Sequence, residues 1–202
     1  RGKGTVSVLS EERLDLVIRW LAPHPCDFFP VHLVVGFARP QTCRKILEQA
    51  AALGVERISF FQSEKGEPSY PKSRLWTTNE WLERIDRGVE QAFASFVPAC
   101  DTFSSLNEAL RSLRSERIQR IAMDNYESTS PLMAQKESDG TPMALALGPE
   151  RGWSENERIL LRSQRFELRH LGKRVLRLET AVVASLSLLL AGYWADPVSE
   201  DL

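Results

Sequence analysis

Two glycine-bearing segments hold the residue types with which a protein grips a small charged cofactor. The first is Leu147-Gly148-Pro149-Glu150-Arg151-Gly152-Trp153-Ser154. The second is Leu171-Gly172-Lys173-Arg174-Val175-Leu176-Arg177. Each follows an apolar run with strand character and precedes a helix-forming run. Glycine lets a ligand lie against the main chain, and backbone N–H groups at a helix start favour anionic groups. Ligands of open α/β sheets bind beyond the carboxyl ends of strands, so two such loops suggest one shared site. The spacing is neither G-x-G-x-x-G nor a phosphate loop ending in Gly-Lys-Ser/Thr, so neither a dinucleotide nor a nucleoside triphosphate is indicated. A purely structural turn has the same pattern, and pattern alone leaves both readings open.

Cations gather around these loops. Arg158 and Arg162 lie four residues apart on the intervening helix, and Arg165, Arg169, Lys173, Arg174 and Arg177 follow. The formal net charge is only −1, from 26 basic and 27 acidic residues. A nucleic-acid partner therefore needs a local patch of this kind, since no overall basic field exists. The competing reading is solubility, with the arginines paired to Glu155, Glu157 and Glu167. Arg111, Arg114 and Arg117 form a second stripe that reads as a solvated face or a phosphate contact. The three cysteines (Cys26, Cys43, Cys100) and three histidines (His24, His32, His170) are scattered. None has zinc spacing, so no metal site is expected and the thiols read as reduced and mostly buried.

The elements that must position the loops alternate strand and helix. Residues 4–20 alternate around Ser10-Glu11-Glu12 and predict a β-hairpin, which needs other structure to pack on. Pro23, Pro25 and Pro30 mark a linker. Residues 31–37 are a continuous apolar run, the pattern of a strand buried on both faces. A helix over 40–53 with Gly54 after its end, then a strand over 55–61, completes a βαβ unit and implies a parallel sheet. Residues 62–78 read as a loop. Asn79 opens a helix to about Phe96, with Trp81, Ile85, Val89 and Phe93 on one face. Thr102-Phe103 suggests a short strand, and Ser104 or Ser105 caps a helix to about Ser115. Residues 120–123 predict a strand and 125–141 a mobile loop. Residues 143–147 predict a strand, and Ser154 with Glu157 forms a capping box for a helix to about Ser163. A last strand over 168–171 precedes a helix that opens at Glu179 or Thr180 and ends near Trp194.

At 202 residues the chain fits one large α/β domain or a domain with a small appendage. The longest uncharged run, 180–195, is too short for a membrane span. Arg1-Gly2-Lys3-Gly4 has no apolar segment, so no signal peptide and a cytoplasmic location are expected.

GPERGWSENE, then a helix, Phe166 and LGKRVLRLETA resemble the signature of the RsmE-type 16S ribosomal RNA uridine-N3 methyltransferases of the SPOUT class. The match is specific over residues 143–181. A weaker one extends back to Val31 through Leu53-Gly54-Val55, Glu90-Gln91 and Pro98. The resemblance implies a SPOUT-type α/β fold, a mostly parallel sheet with helices on both faces and a deep trefoil knot over about 143–195. It implies a homodimer, S-adenosylmethionine as cofactor and small-subunit (16S) ribosomal RNA as substrate, without metal or membrane. By position the cofactor residues are Leu147, Gly148, Glu150, Gly152, Leu171, Gly172, Arg174, Val175 and Leu176. Arg177 and Arg174 suit stabilisation of charge on uracil oxygens, Glu150 is a candidate base, and Arg158, Arg162 and Lys173 are candidate RNA contacts. Ion pairs of the two arginines with Glu179 or Glu150 are the bland alternative.

The expected division is 1–28, a partial PUA-like β segment and linker, and 29–202, the methyltransferase domain. The substrate side departs from the family pattern. Ala94 stands where an arginine is expected, Gln49 and Ala52 where Lys and Glu are, and Arg151 where a glycine is. Those changes suggest an alternative, a retargeted or inactive RNA-binding or ribosome-assembly protein.

Overall fold

The computed structural model describes residues 2–20, 28–113, 117–135 and 140–194. The linker positions Pro23 and Pro25, His24, Cys26, Arg114 and the end of the expected knot at 195 lie outside the described residues.

β1 (Gly2–Leu9) and β2 (Leu14–Trp20) form an antiparallel two-stranded sheet. The expected hairpin is there, but the packing partner it was expected to need is not found among the described residues. Val6, Leu16 and Val17 are 54%, 50% and 63% exposed, so both faces of the ribbon meet solvent.

The remaining elements alternate as the sequence implies. They are β3 (Phe29–Gly36), α1 (Pro40–Ala52), β4 (Val55–Phe61), α2 (Arg74–Thr77) and α3 (Glu80–Gln91). Then come β5 (Ala99–Phe103), α4 (Leu106–Arg111), β6 (Gln119–Met123) and β7 (Ser130–Pro131). The chain closes with β8 (Met143–Leu147), α5 (Glu155–Ser163), β9 (Glu167–His170) and α6 (Leu178–Trp194). β3 to β9 form one sheet in the order β5-β4-β3-β8-β6-β9-β7, every neighbouring pair parallel.

Helices cover both faces. Val31, Leu33 and Val35 of β3 join Ile46 and Leu47 of α1, Ile85 of α3 and Val182 and Leu186 of α6 in one core. Val34, from the other face of the same strand, joins Leu106 of α4 and Leu161 of α5. A strand clamped between two cores is apolar at nearly every position, which is why 31–37 does not alternate; its polar member, His32, is buried within hydrogen-bond distance of Ser59 Oγ at 2.7 Å. α1 and α3 pack so closely at Gly88 that a Cβ there would lie 2.2 Å from the Glu48 carbonyl oxygen.

Several boundaries differ from expectation. α3 ends at Gln91 because Phe93 takes φ +52° and Ala94 N–H bonds the Val89 carbonyl, a left-handed helix stop. Phe93 is thus 82% exposed, off the face predicted for it. No glycine marks that stop, so the sequence pattern runs past it. Residues 62–78 fold a 3-10 turn (Tyr70–Lys72) and α2. The loop after β6 contributes β7. No described helix is long and apolar enough to cross a membrane.

Candidate functional site

Packing builds the first glycine loop. A Cβ at Gly148 would sit 3.1 Å from the Trp153 ring, and one at Gly36 would sit 2.7 Å from Pro149 Cδ. Gly152 has φ +68°, a region that side chains avoid. Trp153 is 1% exposed, stacks on Phe61 at 5.9 Å and donates from Nε1 to the Met123 carbonyl at 2.8 Å. Ser154 Oγ accepts from Glu157 N at 3.0 Å and the Glu157 carboxylate accepts from Ser154 N at 2.8 Å, closing the capping box. Glu157 also accepts from Ser63 Oγ and Glu64 N, both at 3.1 Å. One buried carboxylate therefore ties the segment after β4 to the glycine loop. Glu150 is exposed, and its Oε1 accepts from Arg39 N at 3.1 Å.

The second loop is open. Gly172 has φ +96°, and its missing side chain would meet nothing within 4 Å. Its N–H donates to His170 Nδ1 at 3.0 Å. Lys173, Arg174, Val175 and Arg177 are exposed, Leu176 is half-buried and Leu178 is buried. Glu179 accepts from Lys45 at 3.1 Å. Its own backbone N–H, ahead of Lys45, holds its carboxyl below the usual carboxylate range.

The loops meet at a pocket of about 120 Å³, walled by Leu147, Gly148, Gly152, Trp153, Val175 and Leu176, with Tyr126 at its side. A cleft of about 610 Å³ adjoins it, and Pro149, Glu150, Val175, Leu176 and Leu178 line both. The cleft presents Arg39, Lys45, Lys65, Arg151 and Arg177 against Glu67, Glu150 and Glu179, a local cationic excess. An apolar recess beside a cationic groove suits a flat heteroaromatic cofactor and a polyanionic substrate.

Of the residues singled out in the sequence, Leu147, Gly148, Glu150, Gly152, Val175 and Leu176 line the pocket, and Arg177 lines the cleft. Leu171, Gly172, Lys173 and Arg174 lie on the second loop but line neither cavity. Glu179 accepts from Lys45 and Glu150 from the Arg39 N–H, and Arg177 reaches Glu179 through its charge without a hydrogen bond. Arg162 is exposed and pairs with Glu127 at 2.5 Å. Arg158 departs from expectation. It is 9% exposed and its guanidinium grips Asp124 through Nε at 2.5 Å and through a second nitrogen at 3.4 Å. The α5 residues Glu157, Arg158 and Leu161 face inward, which turns Arg158 away from any phosphate and makes it a strut. Asp124 also accepts from Tyr126 N at 2.7 Å, fixing the turn that carries Tyr126.

Sequence reading missed Asp124, Asn125 and Tyr126, whose segment looked like featureless loop. It also missed Arg39, Lys45, Lys65 and Tyr70. The available signal was positional, since Arg39, like the glycine loops, directly follows a buried strand.

An open parallel sheet with paired glycine loops at its carboxyl edge defines a cofactor-binding α/β protein. Comparison with known proteins narrows that class. The RNA methyltransferase domain profile matches residues 25–190, and the chain belongs to that family. Over 199 residues it is 32% identical to ribosomal RNA small subunit methyltransferase E of Treponema pallidum, covering 95% of this chain and 73% of that protein. It is 25% identical over 155 residues to ribosomal RNA small subunit methyltransferase E 1 of Borreliella burgdorferi, covering 77% of this chain and 64% of that one. The solved ribosomal RNA small subunit methyltransferase E of Neisseria gonorrhoeae, bound to S-adenosyl methionine, shares the fold. Its TM-score is 0.73 at 22% identity, covering 93% of this chain and 77% of that one.

Proposed function

We propose that this chain is an S-adenosylmethionine-dependent methyltransferase acting on N3 of a uridine in small-subunit (16S) ribosomal RNA. The observation that carries the reading is the convergence of both glycine loops on one recess that opens beside a cationic cleft. The T. pallidum relative, named ribosomal RNA small subunit methyltransferase E, aligns along nearly the whole chain.

The recess suits one part of the cofactor, and the adjoining cleft has room for the rest. Gly148 and Gly152 keep side chains out of the first loop, and Leu147, Val175 and Leu176 supply apolar walls. The bound cofactor supplies an electrophilic sulfonium methyl group. The protein's part is positional and electrostatic. Arg177 lines the cleft and is the candidate to offset charge on the uracil oxygens; Arg174, read for the same role, is on that loop but lines neither cavity. Glu150 lines both cavities, with one oxygen held by Arg39 N–H, and its carboxylate is the candidate to take the N3 proton. Lys173 and Arg162 remain candidate RNA contacts, while the Asp124 pair removes Arg158 from that role.

The proposal includes the knot and the dimer. β9 inserts between β6 and β7, and Gln135 N–H, on the segment after β7, bonds the Leu188 carbonyl of α6 at 3.0 Å. That segment therefore lies across α6, which supports threading. α6 carries half-buried Val183 and exposed Trp194, neither of them in a core cluster, which supports a second copy packing there. The exposed β1–β2 ribbon is read as the PUA-like part of an RNA grip, and the site of action as the cytoplasm.

Calorimetry with S-adenosylmethionine and transfer of labelled methyl to 16S ribosomal RNA, mapped by mass spectrometry, test the reading. Binding together with N3-methyluridine is the expected result. RNA binding without methyl transfer would favour the inactive alternative suggested by Ala94 and Arg151.

A further inference from the structure

The segment between β6 and β7 holds one aromatic ring at the rim of the recess. Tyr126 is 78% exposed, yet it lines the cavity shared by the two glycine loops. The turn that carries it is pinned from behind. Trp153 Nε1 donates to the Met123 carbonyl at 2.8 Å, and Asp124 N donates to the Arg169 carbonyl at 2.8 Å. Tyr126 N donates to Asp124 Oδ1 at 2.7 Å, and the Ser128 hydroxyl donates to the Asp124 carbonyl. The Asp124 side chain is 1% exposed and is gripped by Arg158 of α5. A buried ion pair returns little net stability, so what this one secures is the shape of the turn.

The ring itself is steadied on two sides. The Arg158 guanidinium carbon lies over it, 5.8 Å from the ring centre, within cation–π range. A Cβ built on Gly152 would lie 3.8 Å from Tyr126 Cε2, so the ring edge abuts the first glycine loop. These contacts leave most of the ring in solvent. A lone exposed aromatic is ordinary. One fixed by a buried ion pair beside a cofactor recess is a surface organised in advance for a ligand.

The chemistry of the reaction says which ligand. N3 lies on the pairing edge of uracil, so the target base is unpaired when the methyl group is transferred. An unpaired base has lost its stacking neighbours, and an aromatic side chain replaces them. The cofactor has Leu147, Val175 and Leu176 as apolar walls inside the recess of about 120 Å³. A ring so exposed extends past that recess and offers a flat surface to a second planar group.

We propose that Tyr126 is the stacking platform for the target uracil, holding the base at the mouth of the recess that takes the methyl donor. This rests on the methyltransferase reading above and adds to it the residue that receives the base. Asp124 and Arg158 act through Tyr126, as positioning residues.

The test uses the whole chain and the RNA fragment methylated in the assay above. Tyr126→Ala removes the platform, and Tyr126→Phe keeps a ring. Melting temperature and S-adenosylmethionine affinity check that each variant is folded and takes the cofactor. The expected result for Tyr126→Ala is a fall of roughly tenfold to a hundredfold in kcat/KM for RNA at unchanged cofactor affinity, the scale of one lost base stack. Tyr126→Phe should restore most of it. A second arm measures RNA binding in the presence of S-adenosylhomocysteine, with the target uridine replaced by dihydrouridine, which keeps N3–H and both carbonyls but has a puckered ring. That change should weaken wild type and weaken Tyr126→Ala no further, the non-additivity expected of direct partners. Additive losses, or a Tyr126→Ala variant as active as wild type, would overturn the platform alone. Weaker S-adenosylmethionine with unaltered RNA binding would assign the ring to the cofactor and overturn the proposal. Equal losses in Tyr126→Phe and Tyr126→Ala would assign the effect to the hydroxyl and overturn it too. Failure of wild type to methylate any 16S ribosomal RNA fragment would overturn the methyltransferase reading, and the platform with it.

Discussion

The two glycine loops occupy equivalent places, each after a strand and before a helix, yet they are built in opposite ways. The first is held by Trp153, by a capping box and by Pro149 seated over Gly36. The second has one backbone hydrogen bond to His170, exposed side chains and open space around Gly172. A ligand meets a preformed wall on one side and a wall with little packing behind it on the other. The first loop is therefore expected to carry stability, and the second to carry binding with little stability.

The contrast can be broken from either side. Trp153→Ala should have the largest effect, a loss of ~3–5 kcal/mol by urea denaturation together with loss of cofactor binding, because it empties a fully buried site. A loss below ~1 kcal/mol would mean that the ring does not hold the loop. Glu157→Ala comes next, at ~2 kcal/mol, since it opens the capping box and strands the Ser154 and Glu64 amides and the Ser63 hydroxyl. Val175→Ala, at a residue 79% exposed, should leave thermal stability within ~0.5 kcal/mol. It should weaken S-adenosylmethionine in calorimetry roughly fivefold, from ~1 kcal/mol of lost apolar contact. An unchanged affinity would remove the second loop from the site.

The smallest effect concerns Glu179, whose folded carboxyl is held below its ordinary value. Its contribution is present above the unfolded value of ~4.3 and is lost as pH falls through the folded value. Glu179→Gln should flatten that acid limb of a pH–stability curve. An unaltered limb would show that neither its backbone N–H nor Lys45 holds this carboxylate in the folded protein.

Legibility followed the range of the interactions. The capping box, the continuous β3 run and Gly54 after α1 are local rules, and all were readable. The stop at Phe93 was not, because a non-glycine residue takes the left-handed conformation there. Arg158 and Arg162 looked alike four residues apart. Only the position of Asp124, brought in by β6, made one a buried strut and left the other at the surface. Three predicted cofactor residues, Leu171, Gly172 and Arg174, sit on the second loop without lining a cavity, because sequence order does not say which way an open loop faces.

By itself the sequence determined that two glycine loops follow parallel strands, that Ser154 caps the helix between them, and that arginines crowd nearby. Those properties rest on neighbours a few residues apart along the chain. Only the tertiary structure decided that the loops share one recess and that Arg39, Lys45, Lys65 and Tyr70 line the cleft beside it. The physical reason is the strand order. A sheet that places β8 between β3 and β6 brings residues more than a hundred positions apart to one edge, a pairing that no local spacing encodes.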